Sequence, residues 1–174
     1  MSVIREGALQ FNFGAGSQAS KYDDWAFYRN QFQNGCYRDN KAVDLLCHSG
    51  NAAWLIEVKD YRQHARTKVV DLADEIAIKV RDTLAGLLAA QVRANDSDEK
   101  GCARAILRKK TVRIVCHIEQ PAKASRLRPR VIEPDKLQLK LRSLLKAIDP
   151  HPMVMDGNSV AAGVPWYVTQ IRGG

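Results

Sequence analysis

The feature that most constrains this chain is a pair of strand-like runs, Lys41-Ala-Val-Asp-Leu-Leu-Cys-His48 and Ala52-Ala-Trp-Leu-Ile-Glu-Val-Lys59, separated by Ser49-Gly50-Asn51. Two such runs around a short Gly-containing turn read as a β-hairpin. Both are apolar on both faces except at a few positions, which predicts a place in the middle of a sheet. Side chains alternate along a strand, so Ala53, Leu55, Glu57 and Lys59 point one way and Trp54, Ile56 and Val58 the other. A turn that sets His48 or Cys47 opposite Asn51 or Ala52 places Asp44 opposite Leu55. Asp44 then shares the face of Glu57, on the diagonal. A slip of one residue would send it to the other face.

Around this hairpin the chain alternates between strand-like and helical patterns. Ala8–Phe13 predicts a short strand ending in a turn at Gly14-Ala15-Gly16. The glycine pair is not a phosphate loop, because Gly14 to Lys21 lacks the order that brings backbone amides and a lysine onto one phosphate. Trp25, Tyr28 and Phe32 recur at helical spacing and predict a helix over 21–32, with Ser20 or Asp23 as N-cap and Asn34-Gly35 as its stop. The stripe Val69, Leu72, Ala73, Ile76, Val80, Leu84, Leu87, Leu88, Val92 predicts a long helix over 68–93 whose apolar side is core or a subunit interface. Asn95–Gly101 is expected to be a polar loop and Thr111–Ile118 a strand. A basic, proline-punctuated connection spans 121–134, and a helix runs from Asp135 to about Ala147. Gly163–Ile171 is expected to be an edge strand, since Pro165 suits an edge. Trp166 and Tyr167 are expected to pack there. Together these predict a single α/β domain with a mixed sheet and helices on its faces, and 174 residues suit one domain.

Charge narrows the partners. The formal net charge is +8, and it is uneven. Residues 1–60 hold 6 Lys/Arg against 7 Asp/Glu, whereas residues 100–146 hold 14 against 3. That block includes Arg108-Lys109-Lys110, Arg113, Arg126, Arg128 and Arg130. A concentrated basic block favours a polyanion, because each neutralised phosphate releases condensed counterions; a solvated face is the ordinary alternative. No apolar run reaches membrane-spanning length, and the first residues do not read as a secretory signal, so a cytoplasmic protein is expected. Cys36, Cys47, Cys102 and Cys116 form no C-x-x-C pair and are expected to be reduced thiols.

Asp44, Glu57 and Lys59 carry the chemistry. Two carboxylates converging on one face offer oxygen ligands suited to Mg²⁺ or Mn²⁺. Such an ion polarises a phosphate and activates water. A lysine beside it can orient that water, steady developing negative charge, or act as a base if its pKa falls. The alternative is a set of structural ion pairs. The parts are those of a phosphodiester hydrolase, with the basic block drawing in its substrate. Arg62 and Arg66, just after the motif, join Arg108, Lys109, Lys110 and Arg113 as candidate phosphate contacts. Asp60 and His117 read as structural.

Val43-Asp44, twelve residues, then Glu57-Val58-Lys59 resembles the motif of the PD-(D/E)xK nuclease superfamily, and the flanking residues resemble its Holliday-junction-resolvase-like branch. The resemblance covers residues 21–118 and leaves 119–174 as a basic extension. It implies a three-layer restriction-endonuclease-like fold, with a central mixed β-sheet flanked by helices. It further implies a metal-dependent DNA endonuclease using Asp44, Glu57 and Lys59. Counting eleven residues back from Gly35, it implies Asp24 as a third metal ligand, with Asp23 and Glu6 as substitutes; helix capping accounts for Asp24 equally well. A homodimer fits a substrate with two scissile strands. The reading from another class is a non-catalytic nucleic-acid-binding or scaffold protein that keeps the fold.

Overall fold

The computed structural model describes residues 2–64, 66–121, 132–159 and 161–171. Arg126, Arg128 and Arg130 of the basic block lie outside the described residues. The strands are β1 (Ser2–Glu6), β2 (Leu9–Phe13), β3 (Ser17–Lys21), β4 (Leu45–Ser49), β5 (Ala52–Asp60), β6 (Thr111–Glu119), β7 (Met153–Met155) and β8 (Trp166–Gln170). The helices are α1 (Leu72–Arg93), α2 (Ser97–Leu107) and α3 (Pro134–Leu145). None of the described helices is long and apolar enough to cross a membrane.

A mixed five-stranded sheet runs β3-β4-β5-β6-β7. Its first three strands form an antiparallel meander, and β5, β6 and β7 are parallel. β1, β2 and β8 form a separate antiparallel sheet with β2 in the middle. Each face of the five-stranded sheet has its own core. Ala53, Leu55, Ile114, Cys116 and Ile118 pack with Ile76, Val80 and Leu87 of α1, Ala103 and Ile106 of α2, and Leu137 and Leu141 of α3. On the other face Trp54, Ile56 and Val115 pack with Leu9, Phe11 and Phe13 of β2 and with Trp166 of β8. The layers are therefore helix, sheet, sheet. The expectation of helices flanking the sheet on both sides is corrected: three alternate positions of β2 are fully buried, and so the second sheet covers that face.

The hairpin forms as expected, with its register moved by two residues. Ser49 pairs with Ala52 and Leu46 with Leu55, around a two-residue Gly50-Asn51 turn whose Gly50 has φ +52°. A two-residue shift preserves face parity. The Ser17–Lys21 segment, assigned from sequence to a turn and helix start, is instead a strand paired with β4.

The helix expected over 21–32 is broken. A 3₁₀ turn spans Tyr22–Asp24 and a π turn spans Tyr28–Phe32. Between them the Glu99 carboxylate of α2 accepts from the backbone N–H groups of Ala26 (2.6 Å) and Phe27 (3.0 Å), capping the second turn from a distant helix. Glu99 itself belongs to the stretch expected to be a loop. That stretch starts α2, because Asp96 accepts from the N–H groups of Asp98 and Glu99, and because Ala103 and Ile106 bury one side. The last helix and the β8 edge strand fall where the pattern placed them, with Trp166 buried against Phe13 and Trp54, and Tyr167 exposed. The sequence reading has no counterpart to β1 or β7.

Gly86 sets how closely α1 approaches the Tyr22 segment. A Cβ there would lie 2.1 Å from the Tyr22 hydroxyl and 3.2 Å from the Phe32 ring. Tyr22 is fully buried, so neither ring has room to retreat. Gly86→Ala, which would gain about 1 kcal/mol of helix propensity on an exposed helix, is expected to destabilise the protein by about 1–3 kcal/mol instead. Urea unfolding of the variant against the wild type checks this; equal or higher stability would show the contact to be slack.

Candidate functional site

Asp44 is placed by helix α1. The segment before β4 makes no ladder bonds at Lys41 and Val43, so their N–H groups need other acceptors. Helix α1 supplies them: Lys41 N–H donates to Asp82 Oδ2 at 2.9 Å, and Val43 N–H to Thr83 Oγ1 at 3.0 Å. Asp82 and Thr83 are buried inside a helix, and this is what they do there. The Asp44 carbonyl accepts from Tyr22 N–H (2.9 Å), and its side-chain Oδ2 accepts from Val58 N–H (2.6 Å). Continued by one step, the hairpin register puts Asp44 beside Glu57 rather than on the diagonal.

Glu57 is 1% exposed, in the middle strand of the sheet. Its Oε1 lies 2.7 Å from Lys59 Nζ and 2.6 Å from Lys79 Nζ, while Oε2 has no hydrogen-bond partner among the described residues. Lys79 Nζ is also 3.6 Å from Asp44 Oδ1. Lys59 continues outward to Glu75 Oε1 (3.1 Å), where Lys68 (2.8 Å) and Arg66 (2.9 Å to Oε2) also converge. Three acids and four bases therefore form one chain of alternating charge leading from the core to the surface.

Burial and the Asp44 carboxylate push Glu57 up to about 7 against the pull of Lys79 and Lys59. Burial alone would lower Lys59, but Glu57 and Glu75 outweigh it and hold the ammonium above its ordinary value. The shift runs opposite to the lowering that a lysine base would need. Burial would likewise raise Glu75, yet Lys68, Lys59 and Arg66 hold it down at about 2.

Asp24, expected as the third metal ligand, stands elsewhere. Its carboxylate is 47% exposed and pairs with Arg29 and, at 3.5 Å, with Lys21. Asp23 is the neighbour that feels Asp44: burial first, then Asp44 and Glu6, push it up to about 6 despite Lys21. Glu6 is paired with Lys21 at 3.0 Å. Among the described residues no three His, Cys, Asp or Glu side chains converge as metal ligands. Oxygen donors of Asp44 and Glu57 suit Mg²⁺ or Mn²⁺ in type, but the Lys79 ammonium stands against both and that of Lys59 against Glu57. As arranged, the residues do not fit the ion.

The expected phosphate contacts separate into two groups. Arg62 is bound by Asp60, through Nη2 to Oδ2 at 2.6 Å, and Arg66 by Glu75, so both serve the protein's own acids. Arg113 is paired with the buried Asp149 at 3.3 Å. Arg108 and Lys110 are exposed beside the hairpin turn, where Lys109 Nζ donates to the Gly50 carbonyl at 2.8 Å. At about 3.3 Å per residue, the nine-residue β5 puts roughly 26 Å between that turn and the Arg62 end. His117 is fully buried and held to Glu119 at 2.9 Å, the structural role expected of it.

The sequence places Glu75 only among the acidic residues of the first turns of α1 and gives neither it nor Lys79 a part in the site. The available signal was the polar row Glu75, Lys79, Asp82, Thr83, spaced at three and four along a helix whose neighbouring row is apolar.

The chain is 34% identical, over 159 aligned residues, to the cysteine–tRNA ligase of Neisseria meningitidis serogroup A. The match covers 74% of this chain and 23% of the ligase, so the chain spans under a quarter of that relative's length. No family model and no solved structure matches. The similarity corrects the expectation of a DNA-cleaving metal-dependent nuclease: the relative is named for joining an amino acid to tRNA, and nuclease and hydrolase chemistry has no support in it.

Glu75 gives the network its pH signature. Its folded value of about 2 lies below its ordinary 4.5, so its stabilisation is complete above that ordinary value and disappears as pH falls towards 2. Glu75→Gln is expected to cost about 2 kcal/mol at pH 7, less than the full shift implies because Lys68 is solvated. The cost should vanish near pH 2. Urea titrations at pH 7, 4 and 2.5 check this; a penalty independent of pH would show that the carboxylate's charge is not what matters.

Proposed function

We propose that this chain is an RNA-directed module related to part of an aminoacyl-tRNA ligase, and that its ligand is the phosphate backbone of tRNA. The observation that carries the reading is the 34% identity to a cysteine–tRNA ligase over 74% of the chain. The net charge of +8 supports it, since a basic surface draws RNA through counterion release. The exposed Arg108 and Lys110 beside the Gly50-Asn51 turn are the docking residues, because neither Arg62, Arg66 nor Arg113 is free of an internal acid. The β3-β4-β5 meander and the crossover through α1 and α2 to the parallel β6 support a frame like that of the PD-(D/E)xK superfamily. In this reading that frame presents a basic end to RNA, and its acid pair is internal.

Fluorescence anisotropy with labelled tRNA, titrated from 50 to 300 mM NaCl, tests the proposal against duplex DNA of equal charge. Tighter binding of tRNA than of the duplex is expected, with affinity falling steeply as salt rises. Arg108→Ala/Lys110→Ala should weaken tRNA binding by tenfold or more and reduce the salt slope by about one per lost phosphate contact. No binding at 50 mM NaCl, or equal binding of both nucleic acids, would overturn the reading.

A further inference from the structure

We propose that Lys79 is the resident counter-ion of the Asp44–Glu57 pair, its ammonium occupying the place where a hard divalent cation would sit and setting whether this chain can take one up. The argument rests on how the four carboxylate oxygens are used. Asp44 Oδ2 is committed to Val58 N–H at 2.6 Å. Glu57 Oε1 carries both Lys59 and Lys79. Asp44 Oδ1 faces Lys79 at 3.6 Å. Glu57 Oε2, on a residue 1% exposed, has no partner among the described residues.

A buried carboxylate oxygen with a lone pair unanswered is costly, and it is tolerated here because two ammonium groups neutralise its twin. The two lysines are not equivalent. Lys59 is shared with Glu75, so its charge is spent on two acids from two elements. Lys79 touches only Asp44 and Glu57 among the described acids, and it reaches them from α1, whose packing is fixed by Asp82 and Thr83. Without the Lys79 charge, Asp44 Oδ1 loses its ammonium neighbour and Glu57 Oε1 keeps Lys59 alone, beside an Oε2 that already has no partner among the described residues, leaving oxygens of both carboxylates short of positive charge. That is the donor chemistry of Mg²⁺ and Mn²⁺. Lysine thus acts as a plug, and a divalent ion enters only by displacing it. The inference is independent of RNA binding, which is proposed at the Gly50-Asn51 end of β5.

Mn²⁺ uptake tests it, read by loss of the free-ion EPR signal and by the shift in melting temperature on adding Mn²⁺. Wild type and Lys79→Arg should bind weakly and show no shift. Lys79→Met, which keeps the stem and removes the charge, should bind at least tenfold more tightly and melt higher with Mn²⁺ than without. Lys79→Gln is measured in parallel, so that misfolding of one variant leaves the other to decide. Adding Asp44→Asn to either should abolish the gain. Uptake by the charge-free variants no tighter than the wild type, or a gain that survives Asp44→Asn, would overturn the proposal.

Discussion

A carboxylate buried in the middle strand of a sheet has to be answered by positive charge, and the packing around Glu57 follows from that. Leaving Glu57 unpaired would cost several kcal/mol. The answer comes from its own strand through Lys59 and from α1 through Lys79. Lys79 reaches Glu57 only if α1 crosses the sheet at one height and rotation. The same rotation lets Asp82 and Thr83 take the free N–H groups of Lys41 and Val43, and lets Gly86 lie against Tyr22. Removing both charges of a buried pair for apolar groups is often harmless, whereas removing one is not. The network therefore fixes how the elements meet more than it adds to stability.

The opposite face of the sheet obeys a simpler rule. Leu9, Phe11 and Phe13 alternate along β2, all fully buried, and meet Trp54, Ile56 and Val115 across the gap between sheets. Each such side chain contributes about 1.5–3 kcal/mol on burial. The buried carboxylate on that side, Glu119, is answered by the fully buried His117, which packs on Phe11, and a three-stranded sheet covers the face. The extended network of Asp44, Glu57, Glu75 and their bases lies on the helical side, where long side chains can reach inward from a helix and outward to solvent.

The hairpin face was legible in the sequence because strand parity is robust. The expected register was wrong by two residues, yet Asp44, Glu57 and Lys59 still share a side, since only an odd shift would have separated them. What escaped was set by partners distant in sequence. Ser17–Lys21 has almost no apolar content, and only pairing with β4 makes it a strand. The acidic cluster at 95–101 looks like a loop by composition, but Asp96 caps a helix and Glu99 caps a turn seventy-odd residues earlier. Trp25, Tyr28 and Phe32 do bury together as their spacing implied, though that borrowed cap splits the helix they were expected to form. Lys79 sits on a helix where a lysine four residues after a glutamate ordinarily means a solvated pair.

Net charge proved a poor guide to where the charge acts. Of the basic residues marked as phosphate contacts, Arg62, Arg66 and Arg113 each neutralise an internal acid, and only the Arg108–Lys110 corner keeps side chains facing solvent. Bases paired with the protein's own acids add nothing to the net surplus, so a count of basic residues overstates the surface open to a polyanion. The same pairing acts on Lys59. Flanked by Glu57 and Glu75, it is pulled above its ordinary range rather than below it, which favours steadying negative charge over accepting a proton from water. Around Glu57 and Glu75, each acid is thus held by bases from another element, and the network fixes its own charges in place.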